Sequence, residues 1–305
     1  MTQRFIQISD PHLSSLEGVR FQQLLSKRLL GYLSWRRKRR FEHRLEVLDA
    51  LLDDVAGLDL CQVLVTGDLT HIGLPGEFSQ VRDWLPRLGS ATDVAVIPGN
   101  HDSCVAAPWE STYALWQDYM ASDKPAPGSR LFPSVRVRDD IAFIGLSTAC
   151  PKPPLMATGT LDQAQLDALP ALLESCRERG LFRVVYLHHS PVPGQEKWRK
   201  RLTNADAIST LIEQHGAELM LHGHGHRARR ETLSSRDGEV PVLAVPSASA
   251  LGLHGADVAG FNHYRVDRTD SGWSLRVRRR CYDRDAGSFM DGERTTIELT
   301  RGDTS

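Results

Sequence analysis

The chain has 305 residues, of which 41% are hydrophobic and 25% charged, with a formal net charge of -1. This composition excludes a disordered or low-complexity chain, and the near-zero balance offers no global field for nucleic acid. No run of 18 apolar residues and no basic-then-apolar leader is present, and Cys61, Cys104, Cys150, Cys176 and Cys281 form no C-x-x-C pair. We therefore expect a cytoplasmic protein with no membrane span, disulfide framework or zinc–thiolate site.

No Pro/Gly/Ser-rich linker divides the chain, so we read residues 1–305 as one domain. In chain order, Val/Ile/Leu-rich runs predict strands near 4–9, 62–66, 93–97, 141–146, 183–187 and 218–221. Helical periodicity fills 41–55, 76–88, 161–178 and 205–215 between them. From about 241 to 305 the texture changes to strands joined by turns, near 242–245, 261–266 and 273–277, which suggests a second sheet. The expected class is α/β: two sheets with helices outside. Charge is unevenly spread. Between Arg20 and Arg44 nine Lys/Arg stand against one acid, Glu42, within an insertion spanning about 14–44.

Five apolar runs stop at residues that bind metal or phosphate. They lead into Asp10-Pro11-His12, Gly67-Asp68, Gly99-Asn100-His101-Asp102, His188-His189 and Gly223-His224-Gly225-His226. Ligands in open α/β sheets bind beyond the carboxyl ends of the strands, where these residues would converge. Residues two apart on an extended segment share a side, so Asp10 with His12, and His224 with His226, can each present a pair. Oxygen and imidazole donors without thiolate suit Mn, Fe, Zn or similar ions rather than calcium. Any one ending is an ordinary loop by itself; the five in this order are not.

Together these motifs resemble those of the calcineurin-like metallophosphoesterases over residues 4–226. The resemblance implies a four-layered α/β/β/α sandwich and two divalent ions. Asp10, His12 and His226 would hold one, and Asn100, His188 and His224 the other, with Asp68 bridging. His188 is assigned over His189 by analogy with related phosphodiesterases. The implied chemistry is attack on phosphorus by metal-activated hydroxide. His101 would stabilise charge or protonate the leaving oxygen, and Asp102 would orient His101 or its loop. His71 stands where purple acid phosphatases carry a tyrosine ligand, and His222 reads as a packed core histidine. His43, His215, His254 and His263 lack motif context.

The expected partner is a phosphate-ester substrate. The motif segments are most similar to the cyclic-nucleotide and glycerophosphodiester branch. On a helical wheel the apolar and aromatic residues of the insertion gather on a broad face, and its basic amphipathic stretch Lys27 to Arg40 suggests two alternatives to simple packing. One is docking on an anionic membrane, with a lipid-linked pyrophosphate substrate such as UDP-2,3-diacylglucosamine; the other is a lid over an anionic substrate. A peripheral position at the inner face of the membrane would follow from the first. No nucleic-acid partner is expected, because no added DNA-binding domain or coiled coil is present. A catalytically dead scaffold is the reading from another class, and the full ligand set argues against it.

Overall fold

The structure, a computed structural model, describes residues 2–13, 15–125 and 128–300. Residue 14, where the insertion is expected to begin, and residues 301–305 of the strand-rich tail lie outside it. The described strands are β1 (Thr2–Ile8), β2 (Gln62–Val65), β3 (Val94–Val96), β4 (Ser134–Arg138), β5 (Ile141–Gly145), β6 (Phe182–Tyr186), β7 (Leu219–His222), β8 (Arg229–Ser235), β9 (Gly238–Ala244), β10 (Gly260–Thr269), β11 (Gly272–Asp283) and β12 (Ser288–Thr300). The α-helices are α1 (Arg28–Ser34), α2 (Arg40–Glu42), α3 (Leu45–Val55), α4 (Pro75–Leu88), α5 (Gln117–Met120), α6 (Gln163–Glu178) and α7 (Ala205–His215).

Two six-stranded mixed sheets run β12-β11-β10-β1-β2-β3 and β4-β5-β6-β7-β9-β8. Within them β1-β2-β3 and β5-β6-β7-β9 are parallel. Strands buried on both faces need apolar residues throughout, which is why these segments read as continuous Val/Ile/Leu runs. Alternation decides which layer each residue serves. Ile6 and Ile8 of β1 join Leu48, Leu51, Phe78 and Val81 beneath α3 and α4. Phe5 turns the other way, stacking on Tyr264 at 4.6 Å and meeting Phe143 edge-on at 5.1 Å between the sheets. Leu169, Leu173, Ile208 and Ile212 of α6 and α7 cover the far face of the second sheet. Each such fully buried side chain contributes ~1.5–3 kcal/mol.

Three sequence expectations are corrected. The strands after 241 do not form a sheet of their own: β10 pairs antiparallel with β1, while β9 joins β7 in the other sheet. The helix expected from 41 begins at Leu45, because His43 adopts extended backbone (φ -95, ψ 119). Strands β4, β8 and β12 were not anticipated. β12 alternates exposed and half-buried residues on a sheet edge, a weak hydropathic signal.

Candidate metal centre

The backbone turns sharply just beyond β1, β2 and β7. Seven described non-glycine residues have positive φ, and five of them are Asp10, His12, Asp68, His224 and His226. The left-handed region disfavours L-residues by ~1–2 kcal/mol each, and its concentration here marks a functional site rather than ordinary loops. The close approach also dictates glycine at two points. A Cβ on Gly99 would collide with the Asp68 carboxylate, and one on Gly223 with the Ser9 hydroxyl and Asp10.

The imidazoles are held by backbone carbonyls. His12 donates through Nδ1 to Thr70 O at 2.9 Å, and His188 through Nδ1 to Thr66 O at 2.7 Å. A carbonyl can only accept, so each ring is fixed with its proton on Nδ1 and turns Nε2, the atom a metal would take, into the site. The His12 lone pair faces His226 Nε2 at 3.4 Å. His188 Nε2 lies 3.2 Å from Asn100 Oδ1 and 3.3 Å from Asp68 Oδ2. His226 Nε2 is 3.1 Å from Asp10 Oδ1. His224 Nε2 is buried without a hydrogen-bond partner.

Lone pairs and carboxylate oxygens thus converge in a buried space with too few protons to share, an arrangement that cations relieve. The donor set fits divalent metal. Grouped donor atoms lie within 4.8 Å of one another in His188–His189–His224, Asp10–Asp68–His188 and His12–His43–His226.

Charge follows the same pattern. Burial raises Asp68, but His188 and His101 beside it hold its carboxyl well below the usual range. Asp10 is lowered in the same way, burial being outweighed chiefly by His226. Burial disfavours charge on His188, yet Asp68 brings it up to about 9, so without a cation a proton takes the place at Nε2, against Asp68, that a metal would hold. His101 moves the opposite way: burial and then the Arg39 charge push it down to about 4. Its Nδ1 sits 2.5 Å from the His71 carbonyl, its Nε2 4.0 Å from Asp68 Oδ2, and its backbone N–H donates to Asp68 Oδ1 at 2.7 Å.

Asp102 does not reach the His101 ring. Its oxygens accept from the N–H groups of Leu69, Thr70 and Gly99 and from the Thr70 hydroxyl, at 2.8–3.3 Å. It therefore ties the loop after β2 to the loop after β3, and of the two expected roles only the loop role has contacts. Burial, and next Asp68, push its carboxyl up to about 7. His189 uses both nitrogens elsewhere, on the Thr148 hydroxyl at 2.7 Å and the Ala157 carbonyl at 3.2 Å. His222 is buried on β7, against the Gly223 carbonyl at 3.1 Å. Asn262 bonds Tyr264 within the core.

What the motifs missed comes from the insertion. It is not one amphipathic helix: a 3₁₀ turn (Phe21–Leu24), α1, a π turn (Trp35–Arg39) and α2 follow one another. Arg28 donates to the Ile72 and Gly73 carbonyls at 3.2 and 2.6 Å, and Gly31 lies so close to Ile72 that a Cβ would collide. Buried Trp35 packs with Leu16, Leu24, Ile72 and Leu74, its ring 6.5 Å from His71. His71 stacks on His12 at 5.2 Å, so it lines the site. The segment thus forms a fixed roof that brings Arg39 to 3.0 Å from His101 Nδ1 and His43 to 4.5 Å, ring to ring, from His12. His43 is anchored by the Ser249 hydroxyl at 2.9 Å. The signal was a spacing of four, Trp35, Arg39 and His43, which places successive residues on one helical face.

Two sheets flanked by helices, with clustered Asp, Asn and His at the strand ends, define a metal-dependent phosphoesterase. The model of the calcineurin-like phosphoesterase family matches residues 3–228, and the chain belongs to that family. It is a phosphoric ester hydrolase whose family uses divalent metal ions. A probable cyclic nucleotide phosphodiesterase of Ruthia magnifica is 23% identical over 272 residues, 87% of this chain and 94% of that protein. A 3′,5′-cyclic-nucleotide phosphodiesterase of Nostoc sp. is 24% identical over 282 residues, 90% and 92% of the two chains. The crystal structure of a dimetal phosphatase from Danio rerio matches with TM-score 0.60 at 15% identity, over 98% of this chain and 99% of that one, and it bears out the fold.

Proposed function

We propose that the protein is a dinuclear phosphoesterase acting on a phosphodiester or phosphoanhydride. The observation that carries this is the convergence of His12 and His188 Nε2, both rings being fixed at Nδ1 by carbonyls, with Asp10 and Asp68 in a buried space. Asp10, His12 and His226 would hold one ion and Asn100, His188 and His224 the other, with Asp68 within reach of both sets. The ions are Mn, Fe, Zn or similar by donor type. When bound, such a pair supplies a water acidified to a pKa of ~7 and a positive clamp on phosphoryl oxygens. The chain's own part is positional. The Thr66 and Thr70 carbonyls fix two imidazoles, Asp102 fixes the loops, and His101, held at Nδ1 by the His71 carbonyl, turns Nε2 to the substrate side to take up a proton and pass it on. A cavity of about 270 Å³ beside His12, lined in part by Trp35, His43 and His71, gives room for a leaving group. Metal-reloaded protein should cleave bis(p-nitrophenyl) phosphate and lose that activity with chelator. Activity that survives complete metal removal would contradict the reading.

A second reading, membrane docking with a lipid-linked pyrophosphate substrate, is favoured by the outer face of the roof. Phe21 (67% exposed), Leu25 (70%) and Leu30 (45%) lie in the same segment as exposed Arg36, Arg37, Lys38 and Arg40. The docking set is narrower than Lys27 to Arg40. Lys27 donates to the Lys152 and Met156 carbonyls, Arg28 is spent on the loop, and Arg39 points inward. No described helix is long and apolar enough to cross a membrane, so contact would be with the surface. Co-sedimentation with anionic vesicles at low and high salt tests it.

A further inference from the structure

Arg39 stands apart from the other arginines of the insertion. Its guanidinium is turned into the site, and its one described polar contact is His101 Nδ1 at 3.0 Å. That nitrogen also lies 2.5 Å from the His71 carbonyl, which can only accept, so Nδ1 must carry the proton. An N–H facing an N–H is no hydrogen bond. Among the described residues no carboxylate lies within ion-pair distance of Arg39, whereas Arg44, Arg183 and Arg280 each have one. A half-buried guanidinium therefore faces the metal-ligand cluster with donors to spare. Such a group is costly unless an anion completes it.

The position is built rather than incidental. The π turn carries Trp35 into the roof and Arg39 into the site, while Arg36, Arg37, Lys38 and Arg40 remain exposed. Turns of this kind recur at functional sites because they re-aim side chains. Arg39 also sits on the His101 side of the cluster, with the His43 N–H bonded to its carbonyl at 2.8 Å.

We propose that Arg39 is a phosphate-contacting residue that grips the oxygens of a second phosphoryl group, so that the site prefers a phosphoanhydride to a cyclic phosphodiester. This rests on the phosphoesterase reading and deepens it. A cyclic diester presents one charged phosphoryl group, which the metal-ligand cluster already accommodates. An anhydride brings an adjacent phosphate whose oxygens match the planar guanidinium fork.

The test uses metal-loaded full-length protein, with inorganic pyrophosphate and inorganic phosphate as calorimetric probes and bis(p-nitrophenyl) phosphate as a diester substrate. In Arg39→Gln, pyrophosphate binding should weaken about ten- to a hundredfold, the loss expected for a charged hydrogen bond. Phosphate should weaken less, and metal content and melting temperature should stay at wild-type values. Arg39→Lys should recover part of the affinity, because it keeps the charge but not the fork. Unchanged pyrophosphate affinity in a metal-replete Arg39→Gln protein would overturn the proposal, as would equal losses for both probes. A variant that sheds metal, with Arg39→Lys shedding it equally, would assign Arg39 to holding the centre together and likewise overturn it. Failure of wild-type protein to cleave the diester with metal bound would instead count against the phosphoesterase reading.

Discussion

The loops after β1, β2, β3, β6 and β7 place their metal-binding side chains within a few residues of a strand. The 21–44 segment instead brings Arg39 and His43 to the same point from an added roof. The two regions differ in how they are held. The strand-end loops are cross-tied by buried polar groups: Asp102 on four donors, Ser9 on Asp10, and Glu77 on the N–H groups of His71, Ile72 and Leu74. The roof is held by a small apolar cluster around Trp35 and by Arg28 on two carbonyls. The first region therefore fixes what chemistry the site performs, and the second can vary what it performs that chemistry on.

The largest effect expected is at Asp68, which touches both halves of the ligand cluster. Asp68→Ala should lower occupancy of both metal positions and abolish hydrolysis, as read by metal analysis and turnover. A variant that kept one ion at full occupancy would break the bridging assignment. His101→Ala should keep the metals yet lose ~10²–10⁴-fold in turnover. The loss should shrink for nitrophenolate leaving groups, and an equal loss for poor and good leaving groups would favour positioning over proton delivery.

Asp102→Ala strands the Thr70 and Gly99 N–H groups in a buried space, at about 1–3 kcal/mol for each. Thermal denaturation should show a fall of several degrees, with metal affinity weakened although Asp102 is no ligand. An unchanged melting temperature would mean the two loops do not depend on this tie. The smallest catalytic effect is expected on the outside of the roof. Changing Arg36, Arg37 and Lys38 to Gln should leave bis(p-nitrophenyl) phosphate hydrolysis intact. If the segment docks on membrane, each charge near an anionic surface adds ~1 kcal/mol, so vesicle binding should fall sharply and wild-type binding should weaken with salt. Wild-type protein that ignores anionic vesicles at low salt would remove the docking reading.

The contrast also explains what could be read in advance. Ligand motifs were legible because each ligand follows a strand end by two to four residues, where local sequence fixes position; the extended geometry expected to pair Asp10 with His12 is replaced by positive φ at both. The parallel strands were legible for the same reason, being apolar on both faces. Arg39 and His43 were not, because their aim depends on a π turn and on Trp35 packing against a loop about 37 residues away, counted to Ile72. Their spacing of four was present but was outweighed by the surrounding basic run. Nothing local to Arg28 shows that it will meet the Ile72 and Gly73 carbonyls. Of the C-terminal strands β9, β10 and β11 were recognised and β12 was not, and their sheet partners were set by long-range pairing such as that of β10 with β1.

The most direct test of the central claim is the metal content of wild-type protein, reloaded with Mn and freed of excess, measured beside its turnover of bis(p-nitrophenyl) phosphate. The account predicts two ions per chain, with hydrolysis rising as the second is bound. A chain that saturates with one ion and is then fully active would contradict a dinuclear centre built on Asp68.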